Sequence, residues 1–460
     1  MKSIFILFFS LSFFSSYSQF VPVGELLDHW KMDGLVPSTI HDNTYNEIWG
    51  LAVNGHEYAV IGSTAGTHFI DVTNPTEIFQ AFFVEGKASG PQIIHRDYHD
   101  YNGYLYAVSD EGLSSLQIID ISALPDQVEV VYDSEELIRR SHNIFIDSSS
   151  HILYSCAHNG GSTGVAAMVA FDISDPISPT FIRGFNGFEN FLISHVHDAY
   201  VEDNLGYFNC GPHGLAIVDL SDIENPVLIS SLVPDDYLQS GYNHSGWATE
   251  DGKHYFMADE NHGLDVKVFN VEDPNDIQLM NLFNAESLSD FSIAHNLIVK
   301  GNRLYVSYYY DGLQVYDISN PSSPERKMWY PTSTRAHQDE KYQGAWGIYP
   351  FLPSGNILVS DMQEGLYVIK DYEESLGVEN FQKINFGLSP NPAYDEIQLS
   401  GFNLEGMNYQ VYDTFGRAYA NGAIDSNQSS ISIDGLSEGV YFISLSNGVL
   451  QSTQKFIVAR

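Results

Sequence analysis

The sequence predicts an all-β chain, a seven-bladed β-propeller followed by a small β-sandwich, and three observations carry that expectation. A motif recurs seven times, as "GTHFIDVTNP", "LQIIDISALP", "MVAFDISDP", "GLAIVDLSDIENP", "GLDVKVFNVEDP", "GLQVYDISNP" and "GLYVIKDYEE". Its anchors, Asp71, Asp120, Asp172, Asp219, Asn270, Asp317 and Lys370, stand 49, 52, 47, 51, 47 and 53 residues apart. Between anchors the chain alternates with period two, rich in Val, Ile and Tyr and punctuated by Gly, Asn, Asp and Pro, with no helical period of useful length. Four-stranded units of about 40–50 residues are the repeat of a propeller.

Four strands fit each unit. In the sixth they are "AHNLIVKG", "RLYVSYYY", "GLQVYDIS" and "ERKMWY". Six of the third strands are followed by a fourth, such as "TEIFQAFFVEG", but the seventh runs into "SLGVENFQ" and has none. Residues 26–32, within "GELLDHWKMDG", are expected to supply it as the outer strand of blade seven, which closes the ring and buries the hydrogen bonds of both termini.

At the start, "MKSIFILFFSLSFFSSYS" places Lys2 before an apolar run and small residues at Ser16 and Ser18, the pattern of a secretory signal cleaved after Ser18. That run is too short to span a bilayer, and no other stretch approaches the roughly 20 apolar residues that a membrane helix needs. Past Tyr372 a linker, "ESLGVENFQKINFG", leads to "YQVYDTFGRAYANG", "SSISIDGLSEGVYFISLSNG" and "QKFIVAR", which alternate as a small sandwich. The expected organisation is a signal peptide at 1–18, a propeller at 19–372, a linker at 373–384 and a sandwich at 385–460. With 59 acidic against 20 basic residues, the formal charge of −39 repels phosphate backbones and anionic lipid, so nucleic acid is not an expected partner. Cys156 and Cys210 sit one repeat apart and are expected as two buried thiols, because strands at that spacing usually lie beyond disulfide reach.

Histidine recurs at the heads of the first strands. Aligned, these read Trp49, His95, His142, His197, His244, His295 and Trp346. In an antiparallel blade the entry to the first strand and the turn from second to third lie on one rim. Those turns carry Asp110, Glu111, His158, His213, Asp259, Glu260, His262, Asp311, Asp361 and Glu364, so imidazoles and carboxylates form a candidate binding rim with the five histidines. His142, His197, His244 and His295 are candidate ligands for a divalent metal, a donor set suited to Zn, Mn, Fe or Ni. Glu260 or Asp259 would then serve as base toward a metal-bound water. The competing reading is structural: one residue type repeated at one place in every blade is also what a hydrogen-bonding or packing position looks like. No catalytic residue is assigned. Ser245 beside His244 is adjacency in sequence and no nucleophile–base geometry, "GSTGVAAM" lacks the Lys of a phosphate loop, the loop with Arg335, His337, Asp339 and Lys341 reads as exposed, and Tyr308, Tyr309 and Tyr310 read as packing residues before sugar-stacking ones.

The units resemble the LVIVD-repeat propellers of the choice-of-anchor B family, on "GLAIVDLSDIENP", "YNHSGWATEDGKHYFMADENHGLDVKVFNVEDP", "AHNLIVKGNRLYVSYYYDGLQVYDISNP" and "GAWGIYPFLPSGNILVSDMQEGLYV", over about residues 24–372. The third unit departs, with a longer turn in "HNGGSTGVAAMVAFDIS". The resemblance implies a secreted bacterial protein and carries no activity. The tail resembles the type A sorting domain of the type IX secretion system of Bacteroidetes-like bacteria, on Ser389-Pro390-Asn391-Pro392, "DTFGR" at 413–417, "LSEGVYFISL" at 436–445 and "KFIVAR" at 455–460, with Leu388-Ser389 where Tyr-Pro is usual. It implies the type IX machinery and its sorting peptidase as partners, removal of the tail, and release or attachment at the cell surface. The expected function is a secreted or surface propeller that binds an unknown extracellular ligand without catalysis; the alternative is a metal-dependent hydrolase or lyase working at the His/Asp/Glu rim.

Overall fold

Alternation with period two gives each repeat one face for the neighbouring repeat on either side, and every unit folds into a four-stranded antiparallel sheet. This computed structural model describes residues 21–372 apart from 22, 189 and 339, and residues 386–460 apart from 402, 403, 414–416, 427 and 447–450. The expected signal at 1–18, the linker at 373–384, Asp339 and the middle of "DTFGR" lie outside the described residues. The chain divides into two compact units, Met1–Tyr372 and Glu373–Arg460.

In the first unit, seven four-stranded sheets form among the described residues. Their first strands are Tyr45–Val53, Arg96–Tyr101, Ile144–Asp147, Asp198–Glu202, Asn243–Ala248, Leu297–Lys300 and Ala345–Tyr349, and they number the sheets one to seven. These strands pack in a closed cycle, the seventh against the first. A separate apolar core lies between each neighbouring pair of sheets, such as Val60 and Phe69 against Leu105 and Ile119, or Leu358 and Leu366 against Ile61 and Ile70 across the closure. Sheet seven takes its fourth strand from Glu25–Trp30, which pairs antiparallel with Gly365–Lys370, Trp30 opposite Leu366. The first unit is all-β and propeller-like. Its helical content among the described residues is one 3-10 turn at Pro234–Asp236, and no helix is long and apolar enough to cross a membrane.

The repeated anchor has a local cause. Asp71, Asp120, Asp172, Asp219, Asn270 and Asp317 each accept, on Oδ1, the backbone N–H two residues on, at 2.7–3.0 Å. That Asx turn ends the third strand and opens the connection to the fourth. The pairing of third and fourth strands then slips by one residue at the same place in six sheets, for example between Val315 and Tyr316. A bulge there raises the local twist of the outer edge. Cys156 and Cys210 are buried, unbridged, in the core between sheets three and four.

The second unit places a three-stranded sheet (Phe386–Ser389, Glu396–Gly401, Gln428–Ser432) and a four-stranded one (Asn408–Asp413, Ala418–Ala423, Gly439–Ser446, Gln451–Val458) around one core that includes Ile397, Leu399, Val411, Ile443 and Phe456.

Candidate functional site

The heads of the first strands meet at one end of the cycle. Ring centroids run His95 to His142 at 4.2 Å, His142 to His197 at 4.1 Å, His197 to His244 at 4.0 Å, His244 to His295 at 4.4 Å, His295 to Trp346 at 4.4 Å and Trp346 back to His95 at 5.5 Å. Six rings close on themselves. Trp49 does not belong with them, contrary to the alignment of strand heads. The register of sheet one slips between Tyr45 and Ile48 as that of sheet seven does between Ala345 and Ile348, so Asn46 answers to Trp346 and Trp49 to Tyr349. Trp49 lies in a second aromatic layer with His99 at 4.4 Å and Tyr349 at 5.0 Å, continued by Phe145, Tyr200 and Trp247, and its Nε1 donates to Asp100 at 2.8 Å.

Burial makes most of the histidine layer neutral. It pushes His95, His197 and His244 well below the ordinary imidazole pKa, with neighbouring imidazoles adding to the effect, and His295 to about 3 although its Nδ1 donates to the Trp346 carbonyl at 2.6 Å. Burial also opposes charge on His142, but Asp110 Oδ2 lies 2.8 Å from its Nδ1 and outweighs it, so His142 is raised and Asp110 lowered.

Over these rings opens a depression of about 450 Å³, with Asp110, His142, His195, His197, Tyr242 and Glu260 among its walls. His195 Nε2 meets the Tyr242 hydroxyl at 2.7 Å. The Tyr309 hydroxyl donates to Glu260 Oε1 at 2.5 Å, and Glu260 Oε2 stands 3.7 Å from His244 Nε2. Burial pushes the Glu260 carboxyl up to about 7 against the Tyr309 bond. One potential ligand atom each from His197, His244 and Glu260 lies within 4.8 Å of the others. His142 and His295, also expected as ligands, fall outside that group; their Nδ1 atoms bond Asp110 and the Trp346 carbonyl.

The residues next to the heads form a polar layer. Glu47, Asp97, Asn143, Asp198, Ser245 and Asn296 line a cavity of about 70 Å³. Burial pushes the Glu47 carboxyl up to about 7, Asp198 to about 6 and Asp97 well above its ordinary value. Ser245 Oγ donates to the His295 carbonyl at 2.6 Å, so it is no nucleophile paired to His244.

Most other members of the expected rim are taken up locally. Glu111 Oε2 accepts the N–H groups of Ile94 and His95, both at 3.0 Å, and thereby sets the head of sheet two. His158 bridges Ser155 and Thr163 inside its own hairpin, both at 2.8 Å. His213 meets Ser194 at 2.7 Å, and His262 the Lys341 carbonyl at 2.8 Å. Asp259 is buried against Lys267 at 3.0 Å, Asp311 holds His337 at 2.9 Å, Asp361 caps the N–H groups of Gln363 and Glu364 at 2.9 Å, and Glu364 pairs with Lys31 at 2.8 Å. Of the turn residues, Asp110 and Glu260 are the ones that face the histidine layer. Tyr308, Tyr309 and Tyr310 are buried. Sequence reasoning missed His195, Tyr242 and Tyr309, and the acids Glu47, Asp97 and Asp198. His195 had a signal, since "HVH" puts two imidazoles on one side of an extended chain.

Two family models match parts of the chain. Residues 197–233 and 293–332 match the model of the LVIVD repeat. Residues 388–459 match that of a secretion system C-terminal sorting domain. The chain thus carries LVIVD repeats within its all-β, propeller-like first unit. It carries a type IX sorting tail, which indicates export to the cell surface or secretion. No curated protein matches the chain. Among solved structures it is similar to PorZ, described as an essential bacterial surface component of the type-IX secretion system of Porphyromonas gingivalis, at 11% identity and a TM-score of 0.44, with 90% of this chain and 60% of PorZ covered. The chain therefore spans less than two thirds of PorZ. A Lactobacillus plantarum protein is similar at 11% identity and a TM-score of 0.47, with 84% and 97% covered. YCF48 bound to D1 peptide is similar at 9% identity and a TM-score of 0.47, with 78% and 99% covered.

Proposed function

We propose that the first unit is a closed seven-bladed β-propeller that acts outside the cell as a non-catalytic binding module, with the histidine end of its axis as the ligand face. The observation that carries this reading is the open depression of about 450 Å³ over a floor of largely neutral imidazoles, with Tyr242, Asp110 and Glu260 as polar contacts at its wall. Seven sheets, the closed cycle of first strands and the Glu25–Trp30 strand in sheet seven support seven blades, and the LVIVD repeats support membership of the choice-of-anchor B family. We assign a signal peptide to 1–18, the propeller to 19–372, a linker to 373–384 and the sorting sandwich to 385–460, in a Bacteroidetes-type bacterium whose sorting peptidase removes the tail.

Two experiments test the reading. Mass spectrometry of the protein recovered from the native cell surface or medium is expected to find chains ending within 372–385; full-length chains there contradict the processing. Arrays of extracellular glycans and peptides probed with the full chain are expected to yield a ligand lost in Tyr242→Ala and Asp110→Ala, and a ligand retained by both variants removes the assignment of the face. The proximity of His197, His244 and Glu260 also favours a second reading, a metal-dependent hydrolase or lyase. Metal-dependent turnover abolished by Glu260→Gln would replace the binding reading with that one.

A further inference from the structure

We infer that His197, His244 and Glu260 bind one divalent first-row transition metal ion, with coordination positions left open to the depression above them. This deepens the binding reading, on which it rests for the choice of face. Two imidazole nitrogens and one carboxylate oxygen are a donor set for Zn(II), Fe(II) or Mn(II) more than for Ca(II) or Mg(II), which prefer oxygen alone.

Distances permit it. Bonds of about 2.0–2.2 Å place the donors of one tetrahedral ion about 3.2–3.6 Å apart. His244 Nε2 and Glu260 Oε2 are already 3.7 Å apart, and the third donor lies within 4.8 Å of both. Adjustments of about 1 Å in side-chain position complete the triangle. The ligands are also held in place. His197 and His244 are 5% and 1% exposed, packed between neighbouring rings. The Tyr309 hydroxyl occupies Glu260 Oε1 and leaves Oε2 for the ion, the kind of outer contact that orients a metal-binding carboxylate.

A second observation points the same way. Nδ1 of His197, like that of His95 and His244, is buried with no hydrogen-bond partner among the described residues, whereas buried ring nitrogens normally find one. An ion bound at Nδ1 of His197 supplies that atom with a partner that the protein does not. Three protein ligands beneath an open depression match the pattern of zinc sites that keep a position for an exogenous ligand. The occupant of that position is an oxygen donor, water or a carboxylate of the captured ligand.

The test uses the full chain, freed of metal with a chelator and exchanged, then titrated with Co(II), whose visible absorption reports its ligands, and with Zn(II) in competition. One equivalent is expected to bind. Glu260→Gln, which retains the contact with Tyr309, is expected to weaken binding about tenfold or more, while His262→Ala on the outer rim leaves it unchanged. A His197→Ala variant that keeps the wild-type circular dichroism is expected to lose the Co(II) spectrum. Wild-type protein that takes up no stoichiometric Co(II), or Glu260→Gln that titrates like wild type, overturns the site. The two readings separate cleanly: a ligand captured equally with and without added metal, by protein that shows no stoichiometric uptake, refutes the metal site and leaves the binding face; stoichiometric metal with no ligand captured does the reverse.

Discussion

Glu47→Gln is expected to stabilise the first unit, and by an amount that depends on pH. Glu47 is buried in the polar layer, where Oε1 accepts the Ile48 N–H at 3.0 Å and Oε2 accepts Asn296 Nδ2 at 2.9 Å. Burial, reinforced by Asp198, raises its folded-state pKa from 4.5 to about 7 despite those bonds. The folded chain thus holds the proton more tightly than the unfolded one. Its contribution to stability is fully present below about pH 4.5 and is lost as pH rises through about 7. At 1.36 kcal/mol per pH unit the loss is about 3 kcal/mol. Gln carries no charge to desolvate. Its amide can donate to Asn296 Oδ1, which is buried without a partner, once the Asn296 amide turns over. The assay is urea unfolding of the full chain followed by tryptophan fluorescence, because all five tryptophans lie in the first unit and report on it alone. The variant is expected to exceed wild type by up to about 3 kcal/mol at about pH 8, and to match it at about pH 4. A variant less stable than wild type at about pH 8, or a difference independent of pH, refutes the reasoning.

Two further substitutions probe the architecture by the same assay. Lys267→Met leaves Asp259 buried without its partner at 3.0 Å, where both side chains are fully out of solvent, and is expected to cost about 3–5 kcal/mol; the double variant with Asp259→Leu is expected to recover most of that, and equal loss in both would show that packing alone is at stake. Asp317→Ala removes the acceptor for the Ser319 N–H at 2.8 Å and is expected to cost about 1 kcal/mol, with no change showing that the turn stands without it.

The repeat was legible because its causes are local. An Asp whose carboxylate takes the N–H two residues later needs only its own turn, and a strand that alternates carries its faces in its spacing. The assignment of Trp49 failed for an equally physical reason. "EIWGLAV" and "GAWGIY" share Trp-Gly, which invites aligning Trp49 with Trp346, yet the matching register slips in sheets one and seven move the correspondence by three residues. Asp259 and Glu260 show the same limit. Side by side in sequence, one turns into the sheet toward Lys267 and the other toward His244, and nothing in the pair says which.

By itself, then, the sequence determined the number of units, their period of 47 to 53 residues, the turn that ends six of the third strands and the histidines at the strand heads, since each depends on contacts within a few residues. Only the tertiary structure decided which of those histidines meet which carboxylates. Rings about fifty positions apart come to 4.0–4.4 Å through closure of the cycle. Depth along the axis is set by bulges that one-residue register shifts create, and such a shift reverses every side chain beyond it.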